Sequence, residues 1–132
     1  MSAETTSKAM VWTGRVLTGL FAAFMVMDTG IKLVRLPVVA QTLTQLGYPP
    51  EQGLAIGIIE AVCLALYLWP RTAVLGAILF TAVMGGAIAS HMRLNDPLVS
   101  HTLFGVWLGL VMWGGLWLRD ARLRTMIPLR RP

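Results

Sequence analysis

The chain has 132 residues, of which 56% are hydrophobic and 13% are charged, about half the charged share of an ordinary soluble domain. Mean hydropathy is +0.69, and one soluble domain of this size cannot hide so much apolar surface. The composition therefore excludes a disordered chain and a basic nucleic-acid binder, despite a net charge of +5 and a pI near 10.4, and points to an integral membrane protein.

The elements follow in chain order as a four-transmembrane-helix bundle, all-α, forming a single membrane domain over residues 1–132. After a polar leader, Ser2 to Lys8, a first apolar stretch covers about 11–33 and ends at Arg35 and Pro37. It leads into Asp28-Thr29-Gly30-Ile31-Lys32, not a small-residue cleavage site, so it reads as a retained span and not a signal peptide. The loop that follows holds a short interfacial helix, opened by Pro37 and closed by Gly47, with Val38, Val39, Thr42, Leu43 and Leu46 on one face. Spans two and three cover about 51–69 and 72–90, separated by Pro70-Arg71. Asn95-Asp96-Pro97 reads as a helix start, with Asp96 at the N-cap and Pro97 in the first turn. It opens the fourth span, about 97–118, and a basic tail fills 119–132. At about 1.5 Å per residue each span can cross a hydrocarbon core of roughly 30 Å, and no period-2 alternation argues for strands.

Orientation follows from the basic residues. Lys8, Arg15, Arg71, Arg119, Arg122, Arg124, Arg130 and Arg131 share one side; Lys32, Arg35 and Arg93 share the other. Both termini are therefore expected in the cytoplasm. The tail reads as a topology signal that touches lipid headgroups and not as a nucleic-acid site, because nothing in it resembles a base-reading module.

Small residues mark close helix packing: Gly53 to Gly57 and Gly105 to Gly109 are both G-x-x-x-G, and span three carries Gly85, Gly86, Ala87, Ala89 and Ser90. The eight methionines have no thioether-site spacing and read as apolar filling. Cys63 is the only cysteine, which excludes an intramolecular disulfide and a C-x-x-C pair.

Ionisable groups inside a span are costly and turn toward the bundle interior or a cavity. Asp28 and Lys32 stand four residues apart and pair along one helix face. Glu60 is the deepest acid, about 13 Å into span two. His91 ends span three, and His101 lies one turn into span four. With the topology above, these five come from four helices and fall in the same, outer half of the membrane, with Arg93 and Asp96 at the mouth. Three readings compete: a buried ion-pair network that fixes helix register; a pocket in which Glu60 and His91 move protons for a lipophilic redox substrate such as a quinone, with Asp28, Lys32, His101 and Arg93 binding it; and a haem or metal site on His91 and His101. No compact metal motif is present, so the last ranks third.

At this point the chain resembles the DoxX-like family of small four-span membrane proteins. The resemblance rests on Gly30-Ile31-Lys32-Leu33, Leu46-Gly47-Tyr48-Pro49, Ile58-Ile59-Glu60, and Gly86-Ala87 through His91. It implies a multi-pass protein of the bacterial inner membrane with a redox role. Members are linked to thiosulfate–quinone oxidoreduction, to complexes that protect against oxidative stress and to quinone resistance. It also carries over Lys32, Glu60 and His91 as characteristic polar residues. No flavin or nicotinamide fingerprint is present, so electrons need a partner protein or a bound cofactor. A non-enzymatic membrane subunit or assembly factor, working as a homo-oligomer or within a partner complex, is the alternative. Transport by an oligomer is a third.

Overall fold

The computed structural model describes residues 6–132; most of the polar leader expected over Ser2 to Lys8 lies outside them. The described residues form helices and no strands. Helix α1, Lys8–Leu33, is capped by Ser7, whose Oγ accepts from the Met10 amide at 3.1 Å. It stops where Arg35 takes a left-handed backbone, φ 60°. The short helix α2, Pro37–Gln45, has Pro in its first turn. Gly47, at φ 84°, ends it, and the Tyr48 amide reaches back to the Leu43 carbonyl at 2.8 Å, the six-to-one bond that a left-handed glycine makes possible.

Helix α3, Gln52–Leu68, has 17 residues and rises about 25 Å. Helix α4, Ala73–Arg93, has 21. The last long helix opens with a π turn, Leu98–Thr102, and continues as α5, Phe104–Arg119. A final turn, α6, spans Ala121–Arg124. Among the described residues three helices are long and apolar enough to cross a membrane: Lys8–Leu33, Ala73–Arg93 and Leu98–Arg119; α3 is apolar but shorter. The four long helices pack as a ring, with α1 against α3 and α5, and α4 against α3 and α5.

The helix start expected at Asp96 is corrected. Pro97 is the N-cap, and the amides of Thr102 and Leu103 bond five residues back, to the Pro97 and Leu98 carbonyls. The Asp96 carboxylate is spent elsewhere, on His91. One residue of the basic tail has a structural role in the bundle: Arg124 is 1% exposed and donates to the carbonyls of Trp117 and Leu118, the unsatisfied end of α5, and to Thr6 Oγ1.

The dense part of the bundle is its centre and the end that carries the chain termini. Phe21, Tyr67 and Phe80 meet edge to face, with centroids 5.1 to 6.4 Å apart. Met25, Cys63, Leu64, Met84, Met112 and Leu116 pack around them. Gly14 on α1 and Gly115 on α5 bring two backbones together: a Cβ on Gly115 would meet the Thr18 amide nitrogen at 2.9 Å. Gly76 lets α4 press on the backbone of α3 at Tyr67 in the same way. The two G-x-x-x-G motifs are also used inside the chain. Gly53 receives Val39, Gly57 receives Lys32 and Leu33, and Gly105 receives Ile88 and the Met84 carbonyl. In span three Gly85 and Gly86 are not used inside the chain: a Cβ on either would meet nothing within 4 Å.

Candidate functional site

At the α2 end the four helices stand apart around a cavity of about 560 Å³. Its walls are mainly apolar, with Phe24, Met25, Ile59, Phe80, Val83 and Phe104 among them, and α2 contributes Val38, Val39, Thr42, Leu43 and Leu46. Asp28, Lys32, Glu60, His91 and His101 all line it. The face expected of the short helix thus does two things: Val39 and Leu43 are buried, while Val38 and Thr42 remain exposed beside the cavity.

The polar lining falls into two groups. On the α1–α3 side, Lys32 Nζ donates to an Asp28 carboxylate oxygen and lies 3.0 Å from both oxygens of Glu60. Glu60 is 5% exposed, so its charge is compensated by Lys32 or not at all. Gly57, one turn before Glu60, has no side chain and lets the Lys32 stem pass against α3. One ammonium faces two carboxyl groups, and the set is electrically neutral with one proton on the pair.

On the α4–α5 side, His91 Nδ1 lies 2.6 Å from Asp96 Oδ2. The His91 and His101 rings meet edge to face at 5.8 Å, and His101 Nδ1 lies 2.8 Å from Ser100 Oγ. Among the described residues no group of three or more His, Cys, Asp or Glu side chains is placed to hold a metal ion. Arg93 stands apart from the other expected site residues. Its guanidinium donates to the Leu46 carbonyl and lies against Gly47, and it is not among the residues lining the cavity. It pins the end of α2 to α4. Tyr48 and Ser90 make a second strap between the same segments. Ser90 Oγ donates to the Gly86 carbonyl at 2.8 Å, so the 2.7 Å contact is Tyr48 O–H donating to Ser90.

A second polar network, at the opposite end, went unread in the sequence. Tyr67 O–H donates to the Met112 carbonyl at 2.7 Å, which leaves Thr18 to donate to Tyr67 at 3.2 Å. Arg119 donates to the Thr18 hydroxyl at 3.0 Å and to the Gly115 carbonyl at 3.1 Å. A tyrosine inside an apolar span was the available signal, since a buried phenol needs a partner.

The sequence profile of the DoxX-like family matches residues 16–115, a stretch that begins inside α1 and ends inside α5. The chain belongs to the DoxX-like family. DoxX proteins are small membrane proteins, and the apolar helices make this one a multi-pass membrane protein. The matched stretch contains every residue that lines the cavity of this DoxX-like chain. It leaves out Arg119 at the end of α5 and the buried Arg124. No curated protein and no solved structure matches the chain.

Proposed function

We propose that this DoxX-like protein is a four-span, redox-linked protein of the bacterial inner membrane that binds a quinone-like or other lipophilic small molecule in the cavity beside α2. The single observation that carries the reading is the cavity itself. Its volume, its apolar walls and its few convergent polar groups are those of a small-molecule site, for which volumes of about 300–1,000 Å³ are usual. An ion-pair network that served only to fix helix register would need no such space beside it.

In this reading α3 is the fourth span, its 17 residues matched to the bilayer by local thinning or by its flanking residues. Both termini face the cytoplasm, supported by eight Lys and Arg on their side against three on the other. The cavity then opens in the outer half. Oxidation of a quinol releases protons with its electrons; Glu60 and His91 accept the protons, Asp28 and Lys32 hold the local charge, His101 contacts the ligand, and a partner of the membrane complex takes the electrons. Arg93, docked on the Leu46 carbonyl, acts by holding α2 in place and not by direct contact.

Titration of purified protein with a short-chain quinone tests the reading, on the wild type and on Glu60→Gln and His91→Ala. Both variants are expected to reach wild-type folded yield and to bind at least tenfold more weakly. Undiminished binding in both, with yield collapsing, would overturn it in favour of a purely structural network. A second reading, docking of a partner helix, draws on the exposed glycine at position 85, which packs on nothing within the chain. Pull-down in mild detergent with no stoichiometric partner would count against that one.

A further inference from the structure

The carboxylate of Asp96 sits where a helix N-cap is expected, yet it does not cap the helix. It is turned back onto the ring of His91, with Nδ1 and Oδ2 at 2.6 Å. We infer that Asp96 is a positioning residue: it holds the His91 imidazole in the tautomer with the proton on Nδ1 and leaves Nε2 as the acceptor for the cavity. The inference rests on the reading of His91 as a proton-handling group.

The chemistry is that of a carboxylate, which can only accept, so the ring nitrogen it faces carries the hydrogen. A neutral imidazole then has its lone pair on the other nitrogen. A histidine that is to take a proton from a ligand hydroxyl needs that lone pair on the ligand's side, and His91 lines the cavity. The same division of labour orients the base in carboxylate–histidine catalytic pairs.

The turn that carries Asp96 is built to hold it there. The amides of Leu94 and Asp96 both bond the His91 carbonyl at 3.2 Å, and the Asn95 amide bonds the Met92 carbonyl at 3.1 Å. Asn95 adopts φ 55°, a left-handed conformation that Asn tolerates better than most residues. Thr102 Oγ1 donates to the Asp96 carbonyl at 3.2 Å and fixes the turn to the first turn of the next helix. The nearby charged and titratable groups do not compete for the carboxylate. Arg93 is spent on the Leu46 carbonyl, and His101 faces Ser100. Asp96 is thus bound through its backbone on two sides, and among the described residues its side chain faces the His91 ring.

Nitrogen-15 NMR of histidine-labelled full-length protein in detergent micelles reads the tautomer directly, with His101→Gln used to assign the His91 signals. The expected result is an Nδ1–H form favoured at least about tenfold, the preference that a hydrogen bond to a charged group gives. Asp96→Asn is expected to lose that preference and Asp96→Glu to restore most of it. An Nε2–H form in the wild type, or a ratio changed less than twofold by Asp96→Asn, overturns the inference. The wild-type ratio decides it even where neither variant folds. The measurement needs no ligand, so it stands apart from quinone titration: the expected tautomer in a protein that binds no quinone removes the binding reading and keeps the pair.

Discussion

The two ends of the bundle are made from the same four helices and packed by opposite rules. At one end Gly14 and Gly115 bring α1 and α5 into backbone contact, and Tyr67, Thr18 and Arg119 spend their polar atoms on carbonyls and on each other. At the other end the helices part around some 560 Å³, and the polar groups keep capacity in hand: two carboxyl groups share one ammonium, and each histidine uses only Nδ1 in the contacts described. A buried network that is fully satisfied fixes a structure. One with spare acceptors beside an apolar cavity is equipped to meet something else. The difference sets a closed, self-satisfied end against the hollow end where the proposed ligand would lie.

The largest effect is expected from Lys32→Met, which attacks the polar side of the hollow end. It leaves the Glu60 and Asp28 carboxyl groups facing each other without their cation. Breaking a buried ion pair by removing one partner costs about 3–5 kcal/mol, at the lower end here because Asp28 keeps partial exposure. Replacing all three, as Asp28→Asn, Lys32→Met and Glu60→Gln, removes the uncompensated charge and is expected to recover most of the loss. Denaturation in detergent checks both. A triple variant as unstable as Lys32→Met would show that steric fit, and not charge, holds this end together.

Next in size is Gly115→Ala, which attacks the closed end. The added methyl meets the Thr18 amide nitrogen at 2.9 Å and the Gly14 carbonyl at 3.1 Å. Both are backbone atoms that cannot rotate away, so α1 and α5 must separate. Overpacking of this kind costs about 1–3 kcal/mol. A variant as stable as the wild type by thermal unfolding would mean that the two backbones are not held in contact.

Much of the fold was legible because lipid imposes a simple rule: long apolar runs become helices, bounded by proline, glycine and charge. The runs ending at Leu33 and starting after Pro70 and Pro97 each give a helix within a few residues of its expected bounds. The pairing of Asp28 with Lys32 was legible because four-residue spacing fixes it locally. What was not legible depends on which helix faces which. Gly14, Gly76 and Gly115 carry the tightest contacts but fall in no G-x-x-x-G pair, while Gly85 and Gly86, which look like a packing face, pack on nothing. Asp96 has the sequence context of a cap, and only the turn geometry sends its carboxylate to His91. Arg124 reads as a topology charge, and only the return of α6 under α5 makes it a buried cap.

The smallest effect on stability, and the sharpest on function, is expected at Gly86. It lines the cavity, and an added Cβ there meets no atom within 4 Å. Gly86→Ala therefore makes the same chemical change as Gly115→Ala without the clash. Because glycine in a helix interior costs roughly 0.5–1 kcal/mol relative to alanine, it is expected to stabilise the protein by up to that amount. The opposite signs of the two alanine variants, measured by thermal unfolding, are a direct reading of the closed and hollow ends. Gly86→Phe then places a ring beside the cavity, with stability near wild type and quinone binding weakened at least tenfold. Gly85→Phe is its control: the neighbouring position is equally free of contacts but is not among the residues lining the cavity, so binding should survive. If Gly86→Phe binds as the wild type does, the hollow end is empty space and the ligand, if there is one, sits elsewhere. If both variants lose binding together, the two α4 positions act through the helix as a whole, and the contrast between the ends says nothing about where the ligand lies.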